Sequence, residues 1–226
     1  MSPSEWTALL LLCTAMSFTP GPNTTLSTAL AANLGLKHAL RFCLAVPTGW
    51  TLLMLATGLG LGALITGVPA LRWGVKLGGV AYMLWLAFKL MGVKFPFRGH
   101  PQGEPRPPLA PEPNRNPPPM NLPVHLNVTF WQGVGLQFVN IKAWMLALTL
   151  TAGWVVNAAG QAAPNPYERL AMVSGLMVLF AFGSNFTYAL IGSLLRDWLT
   201  QNRRLLWFNR ALALVLAGTA VWMLAV

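Results

Sequence analysis

Six long apolar stretches constrain this chain more than any other feature of its sequence. A helix of about 20 apolar residues is long enough to cross the hydrocarbon core of a bilayer. Only 9% of the 226 residues are charged, too few to cover a water-facing surface, since soluble domains carry about 25%. We therefore expect an all-α integral membrane protein with about six transmembrane helices. The predicted spans are residues 5–30, 42–66, 70–91, 128–155, 170–195 and 207–226.

The first stretch contains two prolines, Pro20 and Pro22, on either side of Gly21. Proline lacks a backbone N–H group and its ring clashes with the preceding turn, so the helix should break or kink here. Inside a membrane, a break persists only where it faces protein or a water-filled cavity. The amides at the start of the second half-helix would then attract a carboxylate. A plain kink that lets helices tilt past each other is the alternative.

Basic residues are distributed unevenly over the loops. Loops rich in Lys and Arg stay on the cytoplasmic side of a membrane. Numbered in chain order, the loops after predicted helices 1, 3 and 5 would then lie in the cytoplasm. Both termini would lie on the outer side. The rule also accounts for the net charge of +10, so we do not expect nucleic acid as a partner. The cytoplasmic set is Lys37, Arg41, Lys89, Lys94, Arg98, Arg106, Arg115, Arg196, Arg203, Arg204 and Arg210, against Arg72 and Arg169 outside.

A proline-rich segment at residues 95–123 divides the chain. It contains 11 of the 18 prolines in the whole sequence. Such a segment forms neither a helix nor a sheet ladder, and we expect a partly extended cytoplasmic tether. Docking to an SH3-like groove is the alternative. Residues 1–94 and 124–226 each hold three predicted spans. Because three is odd, the two triplets enter the membrane in opposite directions, as in the inverted repeats of many transporters.

Three motifs point to a known family. The sequence carries Thr19-Pro20-Gly21-Pro22-Asn23 in helix 1, Gly79-Val80-Ala81-Tyr82-Met83-Leu84-Trp85-Leu86-Ala87-Phe88-Lys89 in helix 3 and Phe138-Val139-Asn140-Ile141-Lys142-Ala143-Trp144 in helix 4. In these motifs and in its hydrophobic segments it resembles the LysE/RhtB family of bacterial amino-acid exporters. The resemblance covers nearly the whole chain except the proline-rich segment.

One of these motifs indicates a branch of the family. Gln137-Phe138-Val139-Asn140 is most similar to the cysteine/O-acetylserine exporter branch, which implies small neutral amino acids as substrates. Many members have Asn-Pro-Lys-Ala in helix 4, whereas Ile141 here replaces the proline. This difference argues against a second helix break at position 141.

The resemblance implies a function and a location. We expect a secondary transporter that exports small amino acids or related metabolites by alternating access. It would lie in the bacterial inner membrane as a multi-pass protein, in contact with the lipid bilayer, with both termini periplasmic and residues 95–123 cytoplasmic.

Two other function classes are weighed against this one. A membrane-embedded enzyme needs paired nucleophile and base, clustered carboxylates or metal ligands, and the three histidines lie in or near predicted loops. A cation or metal transporter needs oxygen or thiolate ligands, but no acidic residue lies deep in a predicted span. Cys13 and Cys43 have no metal-ligand spacing. We therefore expect neither an enzyme nor a metal or other cofactor.

Lys142 is the strongest candidate for a functional residue, because it lies deep in the fourth apolar stretch. A charge at mid-membrane costs about 2.5–3.5 kcal/mol on insertion scales, and such residues usually face a wet pathway. We expect Lys142 to bind the substrate carboxylate or to change protonation during transport. Snorkelling of its stem to an interface is the alternative.

Four amide side chains complete the predicted substrate-binding set. Asn23 and Asn140 lie inside apolar stretches, where an amide can donate and accept hydrogen bonds. They would hold the substrate's amino and carboxylate groups, or bond each other and only pack the bundle. Gln137 and Asn185 are the other amides predicted to face the cavity.

Two pairs of glycines lie four residues apart. Gly58 and Gly62 belong to predicted helix 2, and Gly74 and Gly78 belong to predicted helix 3. Small residues at this spacing let membrane helices approach closely. The contact would lie either within one chain or between the two chains of a homodimer.

Overall fold

The computed structural model describes residues 1–60, 67–91, 128–156, 162–199 and 203–225. Within these ranges the regular structure is helical, apart from an isolated bridge between Val156 and Ala162. The expected all-α fold is confirmed for this part of the chain. The helices are α1 (Pro3–Phe18), α2 (Pro22–Leu34), α3 (Leu36–Gly58), α4 (Pro69–Met91), α5 (Phe130–Val139), α6 (Ile141–Leu150), α7 (Pro166–Leu194), α8 (Arg196–Leu199) and α9 (Arg204–Ala225).

Several of these helices have the length and composition of membrane spans. The four helices α3, α4, α7 and α9 are each long and apolar enough to cross a bilayer. The pair α5–α6, which ends in a π-helical turn at Thr151–Val155, counts as a fifth span if it is taken as one bent segment. The first predicted span is divided into α1, of 16 residues, and α2, of 13 residues. The described residues thus contain four candidate membrane spans, or five with the bent pair, where the sequence predicts about six.

The interruption between α1 and α2 lies at the residues where the prolines predict it. Thr19 ends α1 in an extended conformation, and Pro22 begins α2, a position where proline needs no N–H group. The Gly21 N–H donates to the Thr24 hydroxyl at 2.9 Å and closes the first turn of α2.

The second helix break was not expected, and the structure corrects that expectation. The axes of α5 and α6 differ by 68°, although Ile141 is not a proline. Asn140 is extended and separates the two helices, and its side-chain oxygen accepts the Lys142 N–H at 3.2 Å. The Trp144 indole N–H donates to the Phe138 carbonyl at 2.7 Å. An asparagine cap and a tryptophan donor thus satisfy the backbone groups that the break releases.

Helix α3 also begins earlier than predicted. The predicted second span starts at residue 42, whereas α3 starts at Leu36, directly after Gly35 in a left-handed conformation (φ 88°). In the sequence, the charges of Lys37 and Arg41 predict a loop. In the structure both side chains lie exposed on the first turns of α3, while Ala39 is buried. The end of this predicted span, at residues 61–66, lies outside the described residues.

Helix α2 is the most enclosed element of the described bundle, with 11 of its 13 residues buried. It packs against α3, α7 and α9. Its side chains are small or weakly polar, and its polar groups bond neighbouring helices. Asn33 and Asn209 of α9 exchange two amide hydrogen bonds of 2.8 and 2.9 Å. Small residues allow this close approach, and the amide pair compensates for burial of polar groups.

The predicted linker and part of the glycine pattern are not described. Residues 95–123 and Gly62 lie outside the described residues. A Cβ atom added at Gly58 would overlap the Leu170 side chain of α7, so this glycine permits close packing within the chain. A Cβ atom added at Gly74 or Gly78 would meet nothing within 4 Å in the described structure.

Candidate functional site

A small cavity lies where the two helix breaks meet, with a volume of about 50 Å³. Its wall includes residues from both breaks and from α3, α6 and α7. A bound water needs about 10–15 Å³, so the cavity has room for only a few waters. Four of the five predicted substrate-binding residues lie on its wall: Asn23, Asn140, Lys142 and Asn185.

Lys142 lies in the first turn of α6, directly after the second break, and points across the cavity to the first one. Its Nζ donates at 3.1 Å to the carbonyl of Thr19, the extended residue that follows α1. A Cβ atom at position 21 would lie 3.4 Å from Lys142 Nζ, so Gly21 is next to this ammonium group. No carboxylate belongs to the described wall of the cavity. A backbone carbonyl therefore takes the place of a counter-ion for this ammonium group.

The two preceding carbonyls of α1 also bond side chains from the second half of the chain. The Ser184 hydroxyl donates to the Ser17 carbonyl at 2.5 Å, and the Tyr188 hydroxyl donates to the Phe18 carbonyl at 3.0 Å. The last carbonyls of a helix have no partner inside the helix. At this break, α6 and α7 supply those partners.

A reciprocal amide pair joins the start of α2 to the end of α5. The Asn23 side-chain N donates to the Gln137 oxygen at 2.9 Å, and the Gln137 N donates to the Asn23 oxygen at 3.1 Å. Asn23 therefore bonds Gln137 and not Asn140, the partner considered from the sequence. Gln137 is fully buried and lies behind Asn23 rather than on the described cavity wall.

Asn185 is held in place on the cavity wall by two hydrogen bonds. Its side-chain oxygen accepts from the Ser27 hydroxyl at 2.8 Å, and its nitrogen donates to the Ala181 carbonyl at 2.8 Å. The Ser27 bond joins α7 to α2 next to the cavity, and the Ala181 bond lies within α7. Asn185 thus combines a packing role with a surface that faces the cavity.

One cavity residue was missed from the sequence. The Ser17 hydroxyl is buried, lies on the cavity wall and has no hydrogen-bond partner within the described structure. A serine inside a helix usually bonds its own backbone and gives no sequence signal. The closeness of Ser17 to the Pro20 break was the one clue available.

A second polar network joins the starts of α1 and α7. Arg169 Nη1 lies 3.0 Å from Glu5 Oε1, and the Trp154 indole N–H donates to the Glu5 carbonyl at 3.2 Å. Arg169 also donates to the Trp154 carbonyl at 3.4 Å. The network ties α1 to the π-helical turn after α6 and to α7, apart from the central cavity.

The chemistry of the cavity suits a small zwitterion better than a metal ion. It offers backbone carbonyls, amide and hydroxyl groups and one ammonium group, which can bond a carboxylate and an ammonium group at once. Within the described ranges, no three His, Cys, Asp or Glu side chains lie together as metal ligands. Cys13 and Cys43 are each free and buried there. A bundle of membrane-spanning helices with two broken helices around a polar cavity is the architecture of a membrane transporter.

Comparisons with known proteins agree with this class. The family model of the LysE type translocators matches residues 14–225, so the chain belongs to that family and is a transporter rather than an enzyme. It is similar to a cysteine/O-acetylserine efflux protein of Klebsiella pneumoniae, 30% identical over 219 residues that cover 94% of each chain. It is also similar to proteins of that name from Escherichia coli O1:K1 / APEC and Salmonella typhimurium, each 29% identical over 98% of both chains. No solved structure matches the chain.

Proposed function

We propose that this protein exports small neutral amino acids or related metabolites, of the cysteine and O-acetylserine kind, across the bacterial inner membrane by alternating access. The observation that carries the proposal is the meeting of two broken helices at one cavity, with the Lys142 ammonium on the Thr19 carbonyl. Membership of the translocator family and relatives named cysteine/O-acetylserine efflux proteins support the substrate class.

The proposed site binds both ends of an amino acid. The backbone amides at the start of α2 and the Lys142 ammonium form the positive side, which suits a carboxylate. Asn23, Asn140 and Asn185 supply amide groups around it, with Gln137 holding Asn23 in place. Because no carboxylate belongs to the described wall, a side chain with a second positive charge would find no counter-ion there. This absence favours neutral amino acids.

The proposed transport cycle uses two inverted three-helix repeats, residues 1–94 and 124–226. In this scheme α1–α2 corresponds to α5–α6, α3 to α7 and α4 to α9. Two observations support it: each half begins with a broken helix, and α3 packs on α7 as α4 packs on α9. Rocking of one repeat against the other would expose the cavity to each side in turn. Residues 95–123 would be the cytoplasmic tether between the repeats.

The surface of the described helices supports a lipid environment. Large apolar side chains on α4, α7 and α9 are exposed, among them Phe88, Leu179 and Trp207. An apolar surface of this kind is normal where lipid surrounds a protein. The excess of basic residues in loops supports periplasmic termini. A homodimer through Gly74 and Gly78 remains a prediction, which the oligomeric state in detergent tests.

Efflux from bacterial cells tests the proposed function. Cells that express the protein are loaded with cysteine-containing dipeptides, and extracellular cysteine and O-acetylserine are measured over time. We expect both to accumulate with the unaltered protein and to fall to the vector level with Lys142→Ala. Lys89→Ala is the matched control, because Lys89 lies in the last turn of α4 with Nζ 4.1 Å from the Trp85 ring, away from the cavity. Unchanged amino-acid profiles with the protein present in the membrane would refute the proposal.

A further inference from the structure

We infer that the carbonyl end of α1 is the subsite for the substrate's ammonium group, and that Lys142 occupies this subsite when the transporter is empty. The substrate then displaces Lys142 rather than binding beside it. This inference rests on the proposed function for the identity of the substrate, but its central claim concerns a primary ammonium group alone.

The last two carbonyls of α1 and the Thr19 carbonyl that follows them accept hydrogen bonds from different kinds of donor. Those of Ser17 and Phe18 accept from neutral hydroxyls, whereas the Thr19 carbonyl accepts from the Lys142 ammonium group. The hydroxyl of Thr19 is directed to the Ala15 carbonyl and does not compete. The carbonyl end of a helix carries partial negative charge and favours a cation. The Thr19 carbonyl, next to this helix end, is thus the one of the three that accepts from an ammonium group.

A zwitterion in this cavity needs acceptors for its ammonium group. A buried ammonium group without acceptors loses several kilocalories of hydration, so a substrate ammonium must find oxygen atoms. The described wall contains no carboxylate, and two acceptors stand out on it. One is the Thr19 carbonyl, and the other is the buried Ser17 hydroxyl, which has no partner in the described structure. Both lie at the carboxyl end of α1, Ser17 in its last turn and Thr19 directly after it.

The free volume of the cavity is small while Lys142 lies in it. About 50 Å³ is available, which is room for a few waters but not for a whole amino acid beside the lysine side chain. Movement of the Lys142 side chain away from Thr19 would both enlarge the cavity and free the carbonyl. The displaced ammonium group then becomes the partner of the substrate carboxylate at the start of α2. In this scheme Lys142 occupies the ammonium subsite of the empty transporter and bonds the substrate carboxylate in the loaded one.

Binding of methylammonium to a lysine-free variant tests the inference. In purified Lys142→Ala the subsite is vacant, so methylammonium chloride should raise the midpoint of thermal unfolding by about 2 °C or more, since a ligand stabilises the state that binds it. Tetramethylammonium chloride at equal concentration controls for salt, because it has no N–H group to donate. The unaltered protein and Lys89→Ala should show no difference between the two salts.

A second variant guards against misfolding of the first. Lys142→Met keeps an unbranched stem that ends one atom short of Nζ, and it should show the same preference for methylammonium. Equal effects of the two salts on both lysine-free variants would overturn the inference, as would an equal preference for methylammonium in the unaltered protein. No transport substrate is present in this experiment. Failure of amino-acid export would therefore appear in the efflux assay alone.

Discussion

Single side chains in this protein bond backbone groups that the two helix breaks leave without helical partners. Lys142 bonds the Thr19 carbonyl, and Trp144 bonds the Phe138 carbonyl. The next carbonyl, that of Val139, is so close to Gly79 of α4 that no Cβ atom would fit between them. An unpaired backbone group in an apolar environment costs free energy comparable to a lost hydrogen bond, so the Lys142 and Trp144 hydrogen bonds stabilise the breaks.

Gly79→Ala should destabilise the protein, whereas Gly78→Ala should not. An alanine Cβ at position 79 would collide with the Val139 carbonyl, while the same atom at position 78 would meet nothing within 4 Å. Overpacking of this kind costs about 1–3 kcal/mol. Thermal unfolding of the two purified variants in the same detergent measures the difference. Equal midpoints would contradict the close contact between α4 and the second break.

The sequence predicted the functional residues unevenly. Lys142 stands out because a charge in an apolar stretch is costly, whatever its surroundings. Its partner does not stand out, because the Thr19 carbonyl lies 123 positions earlier and every residue has such a carbonyl. The pairing of Asn23 with Gln137 spans 114 positions and was missed for the same reason. Residue type shows which groups need a partner, and only the fold shows which partner they find.

At the level of the helices, the two breaks have different causes. The first follows from Pro20 and Pro22, whose missing N–H groups are visible in the sequence. The second depends on Asn140 and Trp144, two residues that are common in unbroken helices. Their effect as caps requires a bend of 68° that only the packing of α5 and α6 creates. Sequence patterns therefore predicted one break and argued against the other.

Ile141→Pro should be tolerated, although proline inside a helix usually breaks it. Position 141 is the first residue of α6, where no helical N–H bond is lost, and Asn140 before it is already extended, as a residue before proline requires. The free energy of unfolding should change by less than about 1 kcal/mol. Leu146→Pro, in the middle of α6, is the contrasting variant and should prevent folding. Recovery of monodisperse protein after size-exclusion chromatography distinguishes the two variants. If neither variant is recovered, the start of α6 at Ile141 is contradicted.

At the level of the whole molecule, side-chain hydrogen bonds join the two halves of the chain. The carbonyl end of α1 bonds side chains of α6 and α7, Asn23 bonds Gln137, and Asn33 bonds Asn209. Each of these contacts joins residues before the proline-rich segment to residues after it. The cavity therefore exists only in the assembled pair of halves, whatever the segment between them does.

Removal of residues 99–119 should leave most of the efflux intact. If the segment is only a tether, the contacts between the halves hold the cavity together without it, and the remaining residues still connect α4 to α5. Efflux of cysteine and O-acetylserine is compared with that of the full chain at equal membrane levels, with replacement of the same residues by a Gly/Ser sequence of equal length as control. Loss of efflux in the shortened chain but not in the Gly/Ser chain would indicate that length matters. Loss in both would show that the proline-rich sequence itself takes part in transport.

The enclosure of α2 has a consequence for the biosynthesis of the protein. Ser27 of α2 bonds Asn185, which lies 158 positions later, and Gly192 of α7 packs directly on the Thr28 carbonyl. At a synthesis rate of about 5–20 residues per second, roughly 10–30 s pass between the translation of α2 and that of its partner helix. During this interval the Ser27 hydroxyl has no native partner from α7. The first half of the chain is therefore synthesised before the helix that encloses α2 exists.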